Sequence, residues 1–137
     1  MARVYVGAPY PLRAEARVWA HALERCGLEV TAGWLTAPET TLNDAQARLD
    51  LVDLRRADVL LLLNPPEWAD RGTGGRHVEF GYALAADKVI VIVGVRSNLF
   101  HHLEPVIVLG PTTPVDTVAR VCRGVCDGDE LAEAAHG

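Results

Sequence analysis

The segment with the clearest potential for chemistry runs from residue 71 to 94 and reads RGTGGRHVEFGYALAADKVIVIVG. Its glycines Gly72, Gly74 and Gly75 permit backbone conformations that other residues avoid, and they let a ligand approach the main chain. The predicted helix that follows presents free N–H groups and the positive end of its dipole, which suit a phosphate or a carboxylate. The same helix terminus favours the ionised form of Glu79. An ionised carboxylate held beside a sugar is the nucleophile of retaining glycoside chemistry.

The same residues also have purely structural explanations, in which they bind no ligand and take no part in catalysis. The third glycine of a dinucleotide-binding G-x-G-x-x-G motif would fall at His77, and no Gly-Lys-Ser/Thr of a P-loop follows. The glycines also fit a tight turn into a helix. Glu79 also fits a solvated acid in the first helical turns, where acids are common. Arg76 is either a salt-bridge partner of Glu79 or a phosphate contact.

The elements that must position these residues alternate between strands and helices. Apolar runs predict strands at 3–9, 28–35, 57–64, 88–94 and 105–110. Amphipathic spacing predicts helices at 13–26, from Leu42 to Arg56, at 75–87, and from Thr113 and Pro114 onward. Two of the strand segments are continuously apolar, as in parallel sheets that are buried on both faces. The sequence therefore predicts an α/β, flavodoxin-like three-layer sandwich of about five parallel strands in the order 2-1-3-4-5.

This strand order predicts where a ligand would bind. In such sheets the site lies beyond the carboxyl ends of the strands, where the strand order reverses. The loops after the first, third and fourth strands are therefore the candidates, and the glycine-rich segment belongs to the second of them. The third helix is expected to bury Val78, Gly81, Tyr82 and Ala85, with Glu79 on the flank toward the strand ends. Trp34 follows the second strand, either to stack a base or to pack in the core.

Composition limits the class of protein. The 137 residues are 50% hydrophobic and 23% charged, which predicts one globular domain over 1–137 with a polar tail that frays from about residue 127. The net charge of −5, with scattered basic residues, argues against a nucleic-acid partner, and no apolar run has the length of a membrane span. The odd count of cysteines (Cys26, Cys122 and Cys126) and the lack of an export signal favour a cytoplasmic location. No metal or cofactor is expected.

The chain also resembles a known family. The segments VYVGAP, ADVLLLL and GTGGRHVEFGYALAADKVIVIVG are similar to those of the nucleoside 2-deoxyribosyltransferase superfamily, over about residues 3 to 110. That superfamily includes the related 5'-monophosphate N-glycosidases. The resemblance implies that Glu79 attacks C1' of a nucleoside or nucleotide, that Tyr5 orients it, and that Gly7 gives close approach. It also implies that Asp58, at the head of the third strand, belongs to the active site.

The departures from the family concern the 5' group of the substrate. The transferases have an aspartate six residues before the nucleophile, where this chain has Thr73, which resembles the serine of the monophosphate hydrolases. A hydroxyl beside the N–H groups of Gly74 and Gly75 favours a 5'-monophosphate. Asp70, three residues earlier, is the alternative carboxylate for a free 5'-hydroxyl. The hydrolases' arginine after the first strand has no direct match, because Pro11 falls at that position and Arg13 two residues later.

The resemblance further implies a homodimer or larger oligomer. Ser97 and Asn98 resemble the segment that a neighbouring subunit lends to the site, and ordinary loop polarity is the alternative for both. His101 and His102 are expected at the surface or in an interface. The sequence thus predicts an enzyme that cleaves the N-glycosidic bond of a 2'-deoxynucleoside 5'-monophosphate or nucleoside, with hydrolysis favoured over base exchange. A non-catalytic nucleotide sensor on the same fold is the alternative from another class.

Overall fold

Five parallel strands form one sheet in a computed structural model that describes residues 1–38, 43–66 and 72–127. Its strands lie in the order β2-β1-β3-β4-β5, which are β2 (Glu29–Val30), β1 (Arg3–Gly7), β3 (Val59–Asn64), β4 (Val89–Gly94) and β5 (Ile107–Leu109). The four helices are α1 (Arg13–Arg25), α2 (Asp44–Arg56), α3 (Gly75–Ala85) and α4 (Val115–Asp127). Because α1 packs on α4 and α2 on α3, helices flank the sheet. The predicted flavodoxin-like class and strand order are confirmed.

The core lies along the central strands. Every residue of β3 is buried, and in β4 only the first is not. The two strands pair in parallel over six residues, from Val59 opposite Val89 to Asn64 opposite Gly94. Aliphatic side chains on both faces account for this burial, as the continuous apolar runs predicted. A rigid central sheet thus fixes the ends of β1, β3 and β4, from which the site loops emerge.

The second strand is much shorter than predicted. After Glu29–Val30 the chain leaves the ladder and forms a 3₁₀ turn at Gly33–Leu35. Side-chain bonds draw it away: the Trp34 indole N–H donates to the Val6 carbonyl at 2.8 Å, and the Gly33 N–H donates to Asp53 Oδ2 at 3.0 Å. The aliphatic run predicted a longer strand because these bonds depend on side chains distant in sequence.

Two helices bury a different face from the one that their apolar spacing suggests. In α3 the buried residues are Arg76, Phe80 and Ala83, whereas Val78 is 67% exposed. The predicted buried face of this helix was therefore wrong. In α2 the buried residue is Leu54, whereas Leu49 is 56% exposed. Both helices carry apolar residues around much of their circumference, so spacing alone does not define their rotation.

Some predictions fall outside the described residues. These include Leu42, Asp70 and the tail beyond residue 127. The prediction of a single domain over the whole chain stays a prediction. Among the described helices, none combines the length and the apolar character that crossing a bilayer requires. In the described part of the chain, no cluster of three His, Cys, Asp or Glu side chains is placed to bind a metal ion.

Candidate functional site

A cavity opens where the strand order reverses, between the loop after β1 and the segment that enters α3. Its volume is about 410 Å³, within the range of small-molecule sites. The two loops pack closely, because a Cβ added to Gly72 would lie 2.9 Å from Pro9 Cβ. The polar and aromatic residues of its wall are Tyr10, Arg13, Trp34, Asn43, Gln46, Asp50, Thr73, Arg76 and Glu79. The site thus lies at the edge of the sheet that the topology predicted.

Glu79 and Tyr5 form a bonded pair at this cavity. Tyr5 is fully buried in β1, and its hydroxyl donates a hydrogen bond to Glu79 Oε2. Gly7 lies two residues further along β1, on the same face as Tyr5. A Cβ on Gly7 would lie 3.3 Å from Glu79 Oε1, tighter than ordinary contact. One strand face therefore both orients the carboxylate and leaves room for it.

The surroundings of this pair raise the pKa of both side chains. Burial raises the pKa of Glu79 to about 7, the hydrogen bond from Tyr5 opposes the shift, and the charge of Asp50 adds to it. Burial and the charge of Glu79 raise the pKa of Tyr5, so its hydroxyl remains a donor at physiological pH. A carboxylate that titrates near neutrality in a cavity is a feature of catalytic sites.

The N-terminus of α3 lies beside Glu79. Gly74 occupies the N-cap position in the left-handed conformation, with φ of 95°, which favours glycine. No side chain caps this helix and no acidic residue lies in its first turn. Thr73 and Gly75 line the cavity on either side of Gly74. The backbone groups and dipole of this terminus therefore face the cavity without an acidic side chain among them.

Two buried arginines add positive charge to the cavity wall. Arg76 is 3% exposed, and its Nε donates to Asn64 Oδ1 at 2.9 Å. Arg13 is 6% exposed at the start of α1, and its guanidinium donates to the Leu35 and Ala37 carbonyls and to the Tyr10 hydroxyl. Within residues 1–38, 43–66 and 72–127, no carboxylate forms an ion pair with Arg13. The positive charge of Arg13 is thus stabilised by carbonyl and hydroxyl oxygens at the wall of the cavity.

The burial of Arg13 was detectable in the sequence. Arg13, Ala16, Ala20 and Leu23 are spaced along one helix face, and all four are buried. An arginine on the buried face of a helix that starts at a ligand-binding edge is an unusual placement. In the family resemblance Arg13 is only an imperfect match two positions from Pro11, so the sequence prediction assigned it no role.

A second carboxylate, Asp50, enters the cavity from α2. Gln46 lies one turn earlier, and its Nε2 donates to Asp50 Oδ1 at 2.8 Å. Burial raises the pKa of Asp50, the bond from Gln46 lowers it, and the charge of Asp53 raises it. Sequence reasoning missed both residues, because the polar face of α2 looked solvated. Their one-turn spacing on the same helix stripe as buried Leu54 was the available signal.

Asp58 lies at the other end of the sheet from Glu79. It precedes β3, so it sits at the amino ends of the strands, where its Oδ2 accepts the Arg3 backbone N–H at 2.9 Å. Its Oδ1 is 3.4 Å from the Arg3 guanidinium, and the residue borders a separate depression beside Lys88. The prediction that Asp58 shares a site with Glu79 was therefore wrong. A residue at the head of a parallel strand is a strand length away from the edge where ligands bind.

Ser97 and Asn98 do not line the cavity within this chain. Ser97 Oγ accepts a hydrogen bond from Asn64 Nδ2 at 3.0 Å, and Asn98 Oδ1 accepts the Phe100 N–H at 2.9 Å. His101, predicted at a surface or interface, is fully buried against Phe80, with ring centroids 4.8 Å apart. The Ser97 N–H donates to His101 Nδ1 at 3.0 Å. This segment is thus held to the end of β3 by a side-chain hydrogen bond and to α3 by ring packing.

Neither a protein-family model nor a curated protein matches the sequence. Among solved structures, the Clostridium botulinum CMP N-glycosidase BcmB is similar, with a TM-score of 0.58 and 18% sequence identity. The match covers 81% of this chain and 90% of that one. The chain therefore shares the fold of that protein, as the sequence resemblance implied.

Proposed function

We propose that this chain is an N-glycosidase that cleaves the bond between base and sugar of a nucleoside 5'-monophosphate, with Glu79 as nucleophile. The observation that carries the proposal is the Tyr5–Glu79 pair at the wall of a ligand-sized cavity at the strand-order reversal. The fold shared with a CMP N-glycosidase supports it. A partly buried acid that lines a cavity and accepts a hydrogen bond from a buried tyrosine is a candidate for a functional site.

The reaction follows from the position of the pair. The Glu79 carboxylate attacks C1', the bond from C1' to the base breaks, and a glycosyl ester forms. Water then attacks C1' and releases the sugar phosphate. The Tyr5 hydroxyl holds Oε2, so the carboxylate is oriented before the substrate arrives. The absence of a side chain at Gly7 leaves space against Oε1.

The charges of the cavity favour a 5'-monophosphate over a free nucleoside. Thr73, Gly74 and Gly75 offer a hydroxyl and helix N-terminal N–H groups, and Arg76 and Arg13 line the same cavity. Hydrogen bonds to charged groups contribute about 1.5–3 kcal/mol each. Two such bonds correspond to a preference for the phosphate of roughly two or more orders of magnitude. A preference for the free nucleoside would instead point to Asp70 in the transferase role.

The nature of the sugar and of the acceptor is part of the same proposal. The sequence resemblance favours 2'-deoxyribose, whereas CMP, named for the similar structure, is a ribonucleotide. Water is the proposed acceptor, because the similar structure is named as an N-glycosidase. A second base as acceptor would make the protein a transferase, and the substrate panel below includes that case.

We also propose a homodimer or larger assembly. Leu99 is 77% exposed, and Phe100 and Leu103 in the same turn are also exposed. Contiguous exposed apolar residues are typical of protein interfaces. The turn follows Ser97 and Asn98, the residues that the resemblance assigns to a neighbour's site. Sedimentation at micromolar concentration should show an oligomer that Phe100→Glu dissociates, and a fully active wild-type monomer would refute this part.

The function itself is tested by incubating the pure chain with ribo- and deoxyribonucleoside 5'-monophosphates and the matching nucleosides, with and without a second base. Chromatography should show free base and sugar phosphate from a monophosphate. Glu79→Gln should release none, while Glu24→Gln, an exposed control on α1, should behave as wild type. Tight nucleotide binding without base release from any substrate would identify the sensor alternative instead.

A further inference from the structure

Asn64 is a buried amide that the proposed reaction does not use. It is the last residue of β3, and it is only 1% exposed. Its Nδ2 donates to the Val95 carbonyl at 2.7 Å and to Ser97 Oγ at 3.0 Å. Its Oδ1 accepts a hydrogen bond from Arg76 Nε at 2.9 Å. Both amide protons and the amide oxygen thus have partners, and these partners fix the orientation of the side chain.

The adjoining ends of β3 and β4 hold this amide in place. The Asn64 carbonyl accepts the Val95 N–H at 3.0 Å, so the backbone and the side chain of Asn64 both bond to Val95. Gly94 permits this close approach, because a Cβ there would overlap the Asn64 carbonyl. Ser97 is itself anchored, since its N–H donates to Nδ1 of the buried His101. The fold therefore orients Asn64 before any ligand binds.

Arg76 is the group through which this amide can act on a ligand. Arg76 lines the cavity beside Thr73, whereas Asn64 is not among the described residues of the cavity wall. Gly72 leaves space for the guanidinium, because a Cβ there would lie 3.3 Å from Arg76 Nη1. The guanidinium is thus bonded at Nε by Asn64 and bordered at Nη1 by a residue without a side chain.

The chemistry of the contact favours an amide over a carboxylate at position 64. The amide oxygen is neutral, so it orients the guanidinium without cancelling its charge. A carboxylate would instead form an ion pair with Arg76, and it would face the Val95 carbonyl with no proton to donate. With Nε held, the terminal nitrogens keep the planar geometry that suits phosphate oxygens. Asn64 therefore preserves both the direction and the charge of Arg76.

Resting on the N-glycosidase function above, we propose that Asn64 is a positioning residue that directs Arg76 toward the 5'-phosphate, and that Ser97 supports it within the same chain. The family resemblance assigned Ser97 to the site of a neighbouring subunit. Here its hydroxyl accepts a hydrogen bond from Asn64 of its own subunit. The loop after β4 thus contributes to the preference for a monophosphate through the end of β3.

The first test compares a nucleoside 5'-monophosphate with the matching nucleoside, because only the former carries the group that Arg76 is proposed to bind. Asn64→Ser shortens the side chain so that it no longer reaches Arg76. It should lower kcat/KM for the monophosphate by about 10–100-fold, mainly through KM, and that for the nucleoside by about threefold. A purely structural role would lower both values equally, and that result would overturn the proposal.

A second pair of variants separates orientation from charge. Asn64→Asp keeps an acceptor for Arg76 Nε but adds a carboxylate, so the preference for the monophosphate should fall at least as far as in Asn64→Ser. Thr112→Asp adds the same charge at an exposed position and should match wild type. A full preference retained in Asn64→Asp would show that the charge of Arg76 is not used, and would overturn the proposal.

Ser97→Ala is the mildest change, and it tests the proposal even if the Asn64 variants do not fold. It removes one acceptor of the amide and should lower the preference for the monophosphate by about threefold. The loss should be absent when Asn64→Ser is already present, because the two side chains act in series. Losses that multiply in the double variant would mean that Ser97 acts by another route.

A double-mutant cycle tests whether Asn64 acts through Arg76. Arg76→Gln removes the charge and should lower the preference for the monophosphate by itself. Adding Asn64→Ser to this variant should then change the preference by less than about twofold. Losses that multiply would mean that Asn64 influences the phosphate without Arg76, and would overturn the positioning role.

Binding of ribose 5-phosphate, measured by calorimetry against ribose, separates this inference from the proposed function. Wild type should bind ribose 5-phosphate more tightly than ribose, and Asn64→Ser should reduce that difference by about 10–100-fold. An unchanged difference in the folded variant, as established by thermal unfolding, would overturn the role of Asn64 even if wild type releases base. A difference that depends on Asn64 in a protein that releases no base would refute the N-glycosidase function and leave the positioning role in place.

Discussion

The two ends of the sheet each hold a carboxylate beside β1, and the two differ in every respect that matters for catalysis. At the carboxyl ends, Glu79 is held in a cavity, bonded to a neutral tyrosine, with its pKa raised to about 7. At the amino ends, Asp58 is partly exposed and paired with the backbone and side chain of Arg3. The contacts with Arg3 stabilise the ionised form of Asp58, whereas burial disfavours the ionised form of Glu79. The end of the strand, more than the residue type, thus determines whether an acid is buried at a cavity or paired near the surface.

The sharpest test of this comparison replaces each acid by its amide. Glu79→Gln removes the atom that bonds to C1', so base release should fall by about three orders of magnitude or more. Asp58→Asn should change kcat/KM less than about threefold, since it touches no reacting atom. Comparable losses in the two variants would mean that the amino-end acid takes part in the reaction after all.

The next prediction concerns the anion site at the carboxyl ends. Thr73→Asp places a carboxylate beside the proposed phosphate, so the ratio of kcat/KM for the monophosphate to that for the nucleoside should fall by about a hundredfold. The loss arises from repulsion and from the missing hydroxyl donor. Thr112→Asp, an exposed control, should leave the ratio unchanged. An unaltered ratio in Thr73→Asp would place the phosphate elsewhere in the cavity.

The raised pKa of Glu79 also predicts a pH-dependent effect on stability. Folding raises this pKa from 4.5 to about 7, so the contribution of Glu79 is fully present below pH 4.5 and is lost as pH rises through about 7. Glu79→Gln removes that titration, and its stability relative to wild type should increase by about 2 kcal/mol between pH 5 and 8.5. Urea unfolding at the two pH values measures the difference, and a constant difference would contradict the assigned burial.

Tyr5→Phe tests how the bond to Glu79 sets its ionisation. The hydroxyl opposes the raised pKa of the carboxyl, so its loss should move the acidic limb of the kcat/KM profile above pH 7. Activity should rise with pH through about 7 in wild type, because only the carboxylate attacks. The maximal rate should fall by about tenfold as the orientation is lost. A profile that does not move would show that Tyr5 acts on packing alone.

The smallest expected effect is on stability at the amino ends. Asp58→Asn leaves an acceptor for the Arg3 N–H but removes a charge from a partly exposed pair. Surface ion pairs contribute about 0–1 kcal/mol, so the free energy of unfolding should fall by less than about 1 kcal/mol. The effect should shrink further at high salt. A loss of several kcal/mol would mean that this end of the sheet is more tightly organised than the exposure of Asp58 implies.

The central sheet was accessible from the aliphatic runs of the sequence, whereas the pairing of Tyr5 with Glu79 was implied by the family resemblance. Continuous aliphatic runs have few alternatives to buried parallel strands, and that sheet sets the edge at which Glu79, Tyr5 and Gly7 meet. Side chains of the same strand, two residues apart, share a face by geometry alone. Asp58 was misplaced because it matched a family residue in type and strand, while its position at the head of β3 puts it at the wrong edge.

The α2 wall of the cavity depends on information that local sequence patterns do not carry. Asp50 and Gln46 reach the cavity because α2 is rotated to bury Leu54 and to expose Leu49, opposite to the stripe that its apolar spacing suggests. That rotation is set by packing against β1 and α3, over long sequence separations. Arg13 differs from these two residues, because its spacing with the buried residues of α1 was sufficient to predict that it lies on the buried face of that helix.

The central claim is covalent attack by Glu79, and trapping the intermediate tests it most directly. A 2'-fluoro-2'-deoxyarabinonucleoside 5'-monophosphate destabilises the cationic transition states and slows breakdown of the glycosyl ester. Mass spectrometry after acid quenching should find the fluorinated sugar phosphate on the peptide that contains Glu79, and no adduct in Glu79→Gln. An adduct on another residue, or base release that persists in Glu79→Gln, would contradict the account.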